Sequence, residues 1–564
     1  MVAWGVRWMF GLAVVVACFI NCHAGTQVAT LVIDGDTITM RERAPGTAPS
    51  SPKSTQILLL ALDGVSRDLL YDLLHSGKLP HFAELLGGDD FAHADLDDRL
   101  LSNLPSTTIP AWSAVFSGTP AGVNGVPNNE FFIRETKTFA APAPVTFVDS
   151  AETLEVYTKG AVNTLVDAPS VYEHIHATDP DALIWVALSH FFRGADKMFV
   201  AERTAFVKML AAFVEDGLPR EERKVTSRKP YVALDNGAID AVISHLASGP
   251  VPDVLTVYLS GTDLYAHVAK EGPDEARRAY LTEVIDPALA KLVEQMKKRD
   301  MLANRWVIVT ADHGHTAIVA DAAHAIDTGD DDAPGVMKAA GWKLRPFAAS
   351  VGDADPFDAV LAYGGAFGFV YLADRSRCTG ERACAWDAPP RYREDVLATA
   401  DAFYRNNETG AVAPGMRGAL DMIFVREPRR VGEVQRPFEV YVGGGKTMTV
   451  DAYLAEHPHP TYIDVSRRLD ELAVGRHGDR AGDILLLAHD GDRDTPEERF
   501  YFAKPFRSWH GSPSKQDSEV PLIVANPHVS AAAIEAWVGA KLGDRPYQRK
   551  LADIVLGLRA KPPG

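Results

Sequence analysis

The sequence predicts an α/β protein built on a mostly parallel central sheet covered by helices on both faces, with a smaller inserted subdomain. Three observations carry that expectation. Short, nearly all-apolar runs recur along the chain, among them Ile57 to Leu62, Val254 to Leu259, Trp306 to Thr310, Ile484 to Ala488 and Leu522 to Ala525. Such runs suit strands buried on both faces. Helical periodicity fills the gaps, as in Leu69, Leu70, Leu73 and Leu74 and again from Leu281 to Met296 before Trp306. Strands alternating with helices imply a parallel sheet between two helical layers. The stretch from Pro346 to Gly482 is richer in Gly, Arg and Asp and breaks this rhythm, which marks it as an insertion beside the sheet.

Composition narrows the function classes. The chain has 564 residues, with 57 Lys and Arg against 75 Asp and Glu, for a formal net charge of −18. A hydrophobic fraction of 46% with 23% charged residues excludes a disordered chain, a collagen-like repeat and a membrane bundle. The acidic balance argues against a protein that grips a nucleic acid duplex by bulk charge. A site that handles anions in such a chain needs local positive charge, and a metal is one source of it.

The segments follow from these patterns: 1–24 a signal peptide, 25–52 a short hairpin and linker, 53–345 the first part of a catalytic domain, 346–482 the insertion, and 483–564 the last part of that domain. Trp8 to Cys22 is uncharged, follows a lone Arg7 and contains the apolar run Met9 to Ile20, shorter than the ~20 residues a spanning helix needs. It reads as a secretory signal cleaved after Ala24, which places the mature protein in the periplasm or outside the cell. A competing reading takes Val15-Val16-Ala17-Cys18 as a lipobox, with Cys18 lipidated and holding the protein to a membrane. Thr30 to Met40 alternates around Asp34-Gly35 as a hairpin does, and Ala44 to Thr55 is a Pro/Ser/Thr-rich linker. After cleavage only Cys378 and Cys384 remain, and an even pair in an exported chain reads as one local disulfide, with two free thiols as the alternative.

Three of the apolar runs lead directly into acidic or imidazole groups: Leu62 into Asp63-Gly64, Leu259 into Ser260-Gly261-Thr262-Asp263 with His267 beyond, and Thr310-Ala311 into Asp312-His313-Gly314. In open parallel sheets the carboxyl ends of the strands form the ligand crevice, so groups distant in sequence converge there. One such Asp is commonly a cap or turn former. Three together, two with His partners and none with Cys, suit zinc in a catalytic site. Between the first two elements lies Pro105-Ser106-Thr107-Thr108-Ile109-Pro110-Ala111-Trp112. Pro110 suits a helix start, which puts Thr108 at or beside a helix N-terminus, where free N–H groups and the dipole favour an anion. The plain alternative is that Ser106, Thr107 and Thr108 only cap the helix.

These segments, with His510-Gly511-Ser512 leading to Val520-Pro521, occur in the order of the alkaline phosphatase superfamily. Within it the chain resembles the type I phosphodiesterase/nucleotide pyrophosphatase family across residues 57 to 525. The resemblance implies an alkaline-phosphatase-like sandwich and two zinc ions. It assigns Asp263, His267 and His510 to one ion and Asp63, Asp312, His313 and the Thr108 oxygen to the other. It implies attack by Thr108 on phosphorus, with a phosphothreonine intermediate, and a small-molecule phosphate ester or nucleotide as substrate. Asn129, four residues after Gly125, matches the family Asn that donates to a phosphoryl oxygen, with adjacent Asn128 as the alternative. Ser189 to Ala195 resembles the segment in which phosphomonoesterases of the superfamily place a Lys and an Arg over the phosphate. Arg193 fits the Arg position, but Phe191 stands at the Lys position, which favours diesters or pyrophosphates. The family's Pro-Asn-His after the nucleophile is Pro110-Ala111-Trp112 here.

A phosphomonoesterase on the same site is the first rival, and an inactive binding protein that retains the fold is the second. The lack of a Cys/Ser-x-Pro-x-Arg motif in the nucleophile segment argues against a sulfatase. Other features read as structural. Gly443-Gly444-Gly445-Lys446-Thr447 lacks the first Gly of a phosphate-binding loop. His315, with a metal ligand as the alternative, reads as a residue behind the ligands or facing solvent, His457 and His459 as loop residues around Pro458, Asp330 to Asp332 as a solvated turn, and Trp112, with a pocket wall as the alternative, as core.

Overall fold

The computed structural model describes residues 37–39 as backbone, and 55–143, 145, 161–199, 227–347, 356–376, 378 and 384–563. The segment read as an export signal, the Cys18 lipobox, the Asp34-Gly35 turn and nearly all of the 44–55 linker lie outside these residues. Among the described residues no helix is long and apolar enough to cross a membrane. Cys378 and Cys384 form a disulfide.

Eight described strands form the central sheet, in the order Thr37–Thr39, Lys197–Phe199, Ile184–Ala187, Val254–Leu259, Ile57–Leu62, Trp306–Ala311, Leu522–Ala525 and Ala94–Asp97. From Lys197–Phe199 to Trp306–Ala311 neighbouring strands run parallel, and the pairings outside this block are antiparallel. All six residues of Ile57–Leu62, Val254–Leu259 and Trp306–Ala311 are buried, so both faces are covered. One group of packed helices contains Lys229–Ser248, Asp286–Lys298 and Pro80–Leu85. The other contains Thr108–Ser117, Val171–Thr178 and Lys550–Ala560. The periodic leucines Leu69, Leu70, Leu73 and Leu74 are all buried on helix Arg67–His75.

A second sheet of six antiparallel strands stands beside the first, in the order Ala359–Gly364, Phe367–Leu372, Ile484–Ala488, Leu420–Val425, Glu439–Tyr441 and Thr447–Thr449. Ile484–Ala488 is buried on both faces, as its apolar run predicts, but it is a central strand of this second sheet and not a member of the parallel one. An apolar run reports burial and cannot name the partner strands. Alternation along the strand shows what covers it. Leu485 and Leu487 join the large core shared with the central sheet, while Ile484, Leu486 and Ala488 face a second core with Val396 and Phe403. Gly443, Gly444 and Gly445, all at positive φ, make the turn between Glu439–Tyr441 and Thr447–Thr449.

Leu60 is fully buried in the middle of the central sheet, between Val257 and Val309. Leu60→Ala should lower unfolding stability by about 3 kcal/mol, read as a shifted urea midpoint at unchanged m-value; a change under about 1 kcal/mol would show that this sheet is not the core of the fold.

Candidate active site

The parallel register sets the site. Leu62 lies level with Leu259 on one side and with Ala311 on the other, so Asp63 and Asp312 leave neighbouring strands at the same end. Asp263 follows from the Leu259 strand on the short helix Gly261–Ala266, with His267 at its end. A two-residue ladder pairs Thr316 with Trp509 and Ala317 with Ser508, which brings His510 beside His313 and His315. The His313 and His510 rings stack at 3.6 Å between centroids.

Donor atoms converge tightly. His313 Nε2 lies 3.5 Å from Asp63 Oδ1, 3.4 Å from Asp312 Oδ2 and 3.1 Å from Thr108 Oγ1. Asp263 Oδ1 lies 3.4 Å from His267 Nε2, 3.7 Å from His510 Nε2 and 2.6 Å from His315 Nε2. The structure thus gathers Asp63, Asp263, His267, Asp312, His313, His510 and Thr108 into one buried cluster. In the groups Asp63–Asp312–His313, Asp263–His313–His510 and Asp263–His267–His315, the ligand atoms of each group all lie within 4.8 Å of one another.

Hydrogen bonds around the cluster aim these donors inward. The Nδ1–H of His267 donates to Ser508 O at 2.6 Å, that of His313 to Gly314 O at 2.8 Å and that of His510 to Ser106 O at 2.9 Å. Each imidazole is therefore held with its Nε2 lone pair facing the cluster, as metal-ligating histidines are held. Asp312 Oδ1 accepts from the N–H of Gly64 and of His313, leaving Oδ2 turned inward. Asp63 Oδ2 accepts from the Tyr258 hydroxyl. The facing oxygens, Asp63 Oδ1 and Asp312 Oδ2, are buried with no hydrogen-bond partner.

Electrostatics point the same way. Burial, with repulsion from Asp312 and Asp263, pushes the Asp63 carboxyl well above the usual range, and burial also raises Asp312. Burial alone would raise Asp263 too, but His267 and His315 beside it hold it well below. Burial and the stacked His313 push His510 well down. Asp263 in turn raises His267 against the effect of its burial. Carboxyls that repel one another in the interior favour a cation between them, and the Asp/His donor set suits a divalent transition metal.

Two glycines permit the close approach. Gly64 has φ +68°, and a Cβ there would lie 2.7 Å from His315 Nε2 and 2.9 Å from Asp263 Cβ. Gly365, at φ +65° in the second sheet's hairpin, would drive a Cβ into the His510 carbonyl oxygen. Ala366 N–H donates to that same oxygen at 3.1 Å, so the second sheet supports the loop that carries His510.

Thr108 begins helix Thr108–Ser117, is 7% exposed and is preceded by Thr107, whose side chain makes no cap. The cap comes from Asn129, whose Oδ1 accepts from Ile109 N–H at 2.9 Å and whose NH2 is thereby oriented as a donor. Asn128, the alternative, donates instead to Tyr363 O at 3.0 Å in the second sheet. Trp112 is buried against Phe116 and Tyr258, a core position.

Arg193 does not join the cluster. Its guanidinium binds Glu173 Oε2 at 3.1 Å and the carbonyls of Asn163, Val166 and Ala168. The expectation that it covers a phosphate is corrected by these bonds, which tie the loop after Ala187 to the helical segment 161–173. Phe191, at the Lys position, is fully buried and stacks on Phe116.

Several contributors lie outside the set assigned from the sequence. His315 Nε2–H donates to Asp263, so it buttresses a ligand and is not turned to solvent. Tyr258 links Asp63 to His190, whose Nε2 lies 3.1 Å from the Tyr258 hydroxyl. Buried Arg468 donates to Asn103 O at 2.7 Å and Ser106 Oγ at 3.0 Å, pinning the turn before Thr108. The one advance sign was the position of His315, two residues after His313; the rest lie in unremarkable strand and helix patterns.

A family profile described as type I phosphodiesterase/nucleotide pyrophosphatase matches residues 57–357. The chain belongs to that family. As a type I phosphodiesterase/nucleotide pyrophosphatase family member it falls among phosphodiesterase-type hydrolases, and the matched segment contains Asp63, Thr108, Asp263, His267, Asp312 and His313. A comparison with curated protein sequences finds no match. Among solved structures the chain is similar to murine ectonucleotide pyrophosphatase/phosphodiesterase 5, at 12% identity over 90% of this chain and 95% of that one, with a TM-score of 0.46. An inactive threonine-to-alanine form of that murine protein in complex with AMP matches at 11% identity, with the same coverage and TM-score.

Burial pushes both His190 and His315 down to about 3 from 6.5. The folded chain keeps them neutral while the unfolded chain protonates them, so their contribution to stability is full above pH 6.5 and is lost as pH falls from there towards 3. His190→Gln should therefore lose less stability than the unsubstituted protein between roughly pH 7 and 5. Urea midpoints check this, since the carboxylates common to both proteins cancel in the difference; identical slopes would contradict it.

Proposed function

We propose that this protein is an exported zinc-dependent hydrolase of phosphodiester or pyrophosphate bonds, acting through a phosphothreonine at Thr108. The observation that carries the reading is Thr108 Oγ1, held at a helix start 3.1 Å from His313 Nε2 beside the buried, unpartnered Asp63 Oδ1 and Asp312 Oδ2. Asp263, His267 and His510 would hold one zinc ion and Asp63, Asp312 and His313, with Thr108 Oγ1, the other. Bound there, the two cations would favour the Thr108 alkoxide and stabilise the departing oxygen.

The chain's own groups supply the rest. The helix start positions Thr108 Oγ for in-line attack on phosphorus, which joins the phosphoryl group to Thr108 and breaks the bond to the leaving oxygen. The Asn129 amide donates to a phosphoryl oxygen, oriented by its bond to Ile109 N–H. Water then attacks the phosphothreonine and frees Thr108. Gly365 and Arg468 keep His510 and Thr108 in register without touching substrate.

Substrate class rests on the family and on where Arg193 and Phe191 lie. A monoester dianion rewards extra positive charge over the phosphate, but Arg193 is committed to Glu173 and backbone carbonyls and Phe191 is apolar core. That supports diesters or pyrophosphates of small molecules, nucleotides included. The Cys378–Cys384 disulfide supports an oxidising compartment, in keeping with the apolar N-terminal segment.

Thr108→Ala should lower kcat on the order of 10³-fold or more while zinc stoichiometry stays unchanged. Retained turnover would end the nucleophile assignment, and no turnover by the unsubstituted zinc-loaded protein would favour an inactive binding protein. Chelation should silence the unsubstituted enzyme, and zinc should restore it; full activity in excess chelator would count against a metal mechanism.

The bis(p-nitrophenyl) ester of phosphate should be turned over with a kcat/KM about tenfold or more above that of p-nitrophenyl phosphate. The reverse order would make the protein a phosphomonoesterase.

A further inference from the structure

A second cluster of ligating side chains lies outside the catalytic site, where strands Leu420–Val425 and Ile484–Ala488 of the second sheet meet. Their pairing shifts register between Leu420 and Met422, so Asp421 is the extra residue of a bulge. Bulges re-aim a side chain. His489 follows the partner strand directly, its N–H bonded to Ala419 O at 2.9 Å, and Asp492 lies three residues further on. His459 comes from the loop around Pro458 and Pro460, which also lines an open surface pocket with Tyr462.

The distances are those of a coordination shell. His489 Nδ1 lies 3.0 Å from Asp492 Oδ2 and 3.7 Å from Asp421 Oδ1. The ligand atoms of Asp421, His489 and Asp492 all lie within 4.8 Å of one another, while His459 flanks them, with Nε2 3.4 Å from Asp421 Oδ1 and Nδ1 3.8 Å from Asp492 Oδ2. Donors about 2.0–2.1 Å from a tetrahedral ion stand about 3.3 Å apart. The two carboxylate side chains are only 4% exposed, and Asp492 Oδ1 is buried with no hydrogen-bond partner. Tyr462 donates to Asp421 Oδ2 at 2.7 Å, the outer contact that orients a ligating carboxylate.

We infer that Asp421, His489 and Asp492 bind a divalent transition ion of the zinc class at a site separate from the catalytic one. The imidazole nitrogen among the donors favours such an ion over calcium or magnesium, which take oxygen ligands. The His489 Nδ1–H donates to Asp492 while Nε2 accepts from Arg493 at 2.9 Å. Ligation through Nδ1 moves the imidazole proton to Nε2, and Arg493, which only donates, must then withdraw. Its side chain is 43% exposed and free to do so. Arg493 thus competes with the metal.

The site has a structural use. A Cβ on Gly491, between His489 and Asp492, would collide with Ser514, and Ser514 Oγ lies 2.7 Å from Ser512 Oγ. Ser512 stands two residues after His510, so an ion here fixes the loop that supports a catalytic histidine.

Co2+ titration of the full chain carrying Asp63→Asn and Asp263→Asn tests the inference, because that background disables the catalytic cluster. One equivalent of Co2+ should still bind with the visible absorption of a tetrahedral ion. His489→Ala added to this background should abolish the band, and Arg493→Ala should tighten binding about tenfold, about 1.4 kcal/mol. No band in the background, or a band indifferent to both substitutions, overturns the inference. If His489→Ala does not fold, Arg493→Ala decides alone: tighter binding supports the site and unchanged affinity overturns it. The catalytic ions are counted separately, as the difference between the unsubstituted chain and the background, so a failure there leaves this result readable.

Discussion

Buried carboxyl oxygens that no donor meets govern this molecule. Asp63 Oδ1 and Asp312 Oδ2 lie in the interior without a hydrogen-bond partner, and the imidazoles around them are oriented by their Nδ1–H bonds with Nε2 turned towards the cluster. Each arrangement by itself costs free energy. Both become favourable around cations, where a carboxylate and an imidazole are ligands. The fold therefore holds tension at the carboxyl ends of its central strands that binding would relieve, and a hydroxyl stands within that field.

What keeps this arrangement rigid comes largely from outside the parallel sheet. The hairpin of the second sheet supports His510 through its carbonyl oxygen, and Asn128, beside the Asn129 that caps the nucleophile helix, is tied to the same sheet at Tyr363. Arg468 anchors the turn before Thr108 from a helix of the 465–473 segment. The insertion is thus one wall of the site, packed so closely that Gly365 admits no side chain.

The two ligand clusters share a logic. In each, one carboxylate stands at or next to a strand terminus or bulge and a histidine follows a strand. Strand ends combine a rigid base with freedom to point a side chain off the sheet, which is why polar chemistry gathers there. The catalytic cluster has a helix N-terminus and a hydroxyl added to it; the second has an arginine and an opening to the surface, features of a site that binds without reacting.

Much of this was legible in the one-dimensional pattern. Apolar runs ending in Asp63, Asp263 and Asp312 announced both the sheet and the crevice, because parallel strands buried on two faces must be continuously apolar and their ends must lie level. Pro110 after Thr108 announced a helix start for a similarly local reason. What the pattern could not decide was which strand pairs with which: Ile484–Ala488 is apolar enough for either sheet, and only the packing of Leu485 and Leu487 on one side and Leu486 on the other places it. Nor could it decide where a charged side chain spends its hydrogen bonds. Arg193 is drawn to carbonyls of the 163–168 segment, and His315, Tyr258 and Arg468 act through partners 52, 195 and 362 to 365 residues away. Such bonds exist only after the chain has closed those loops, so tertiary structure alone decides them.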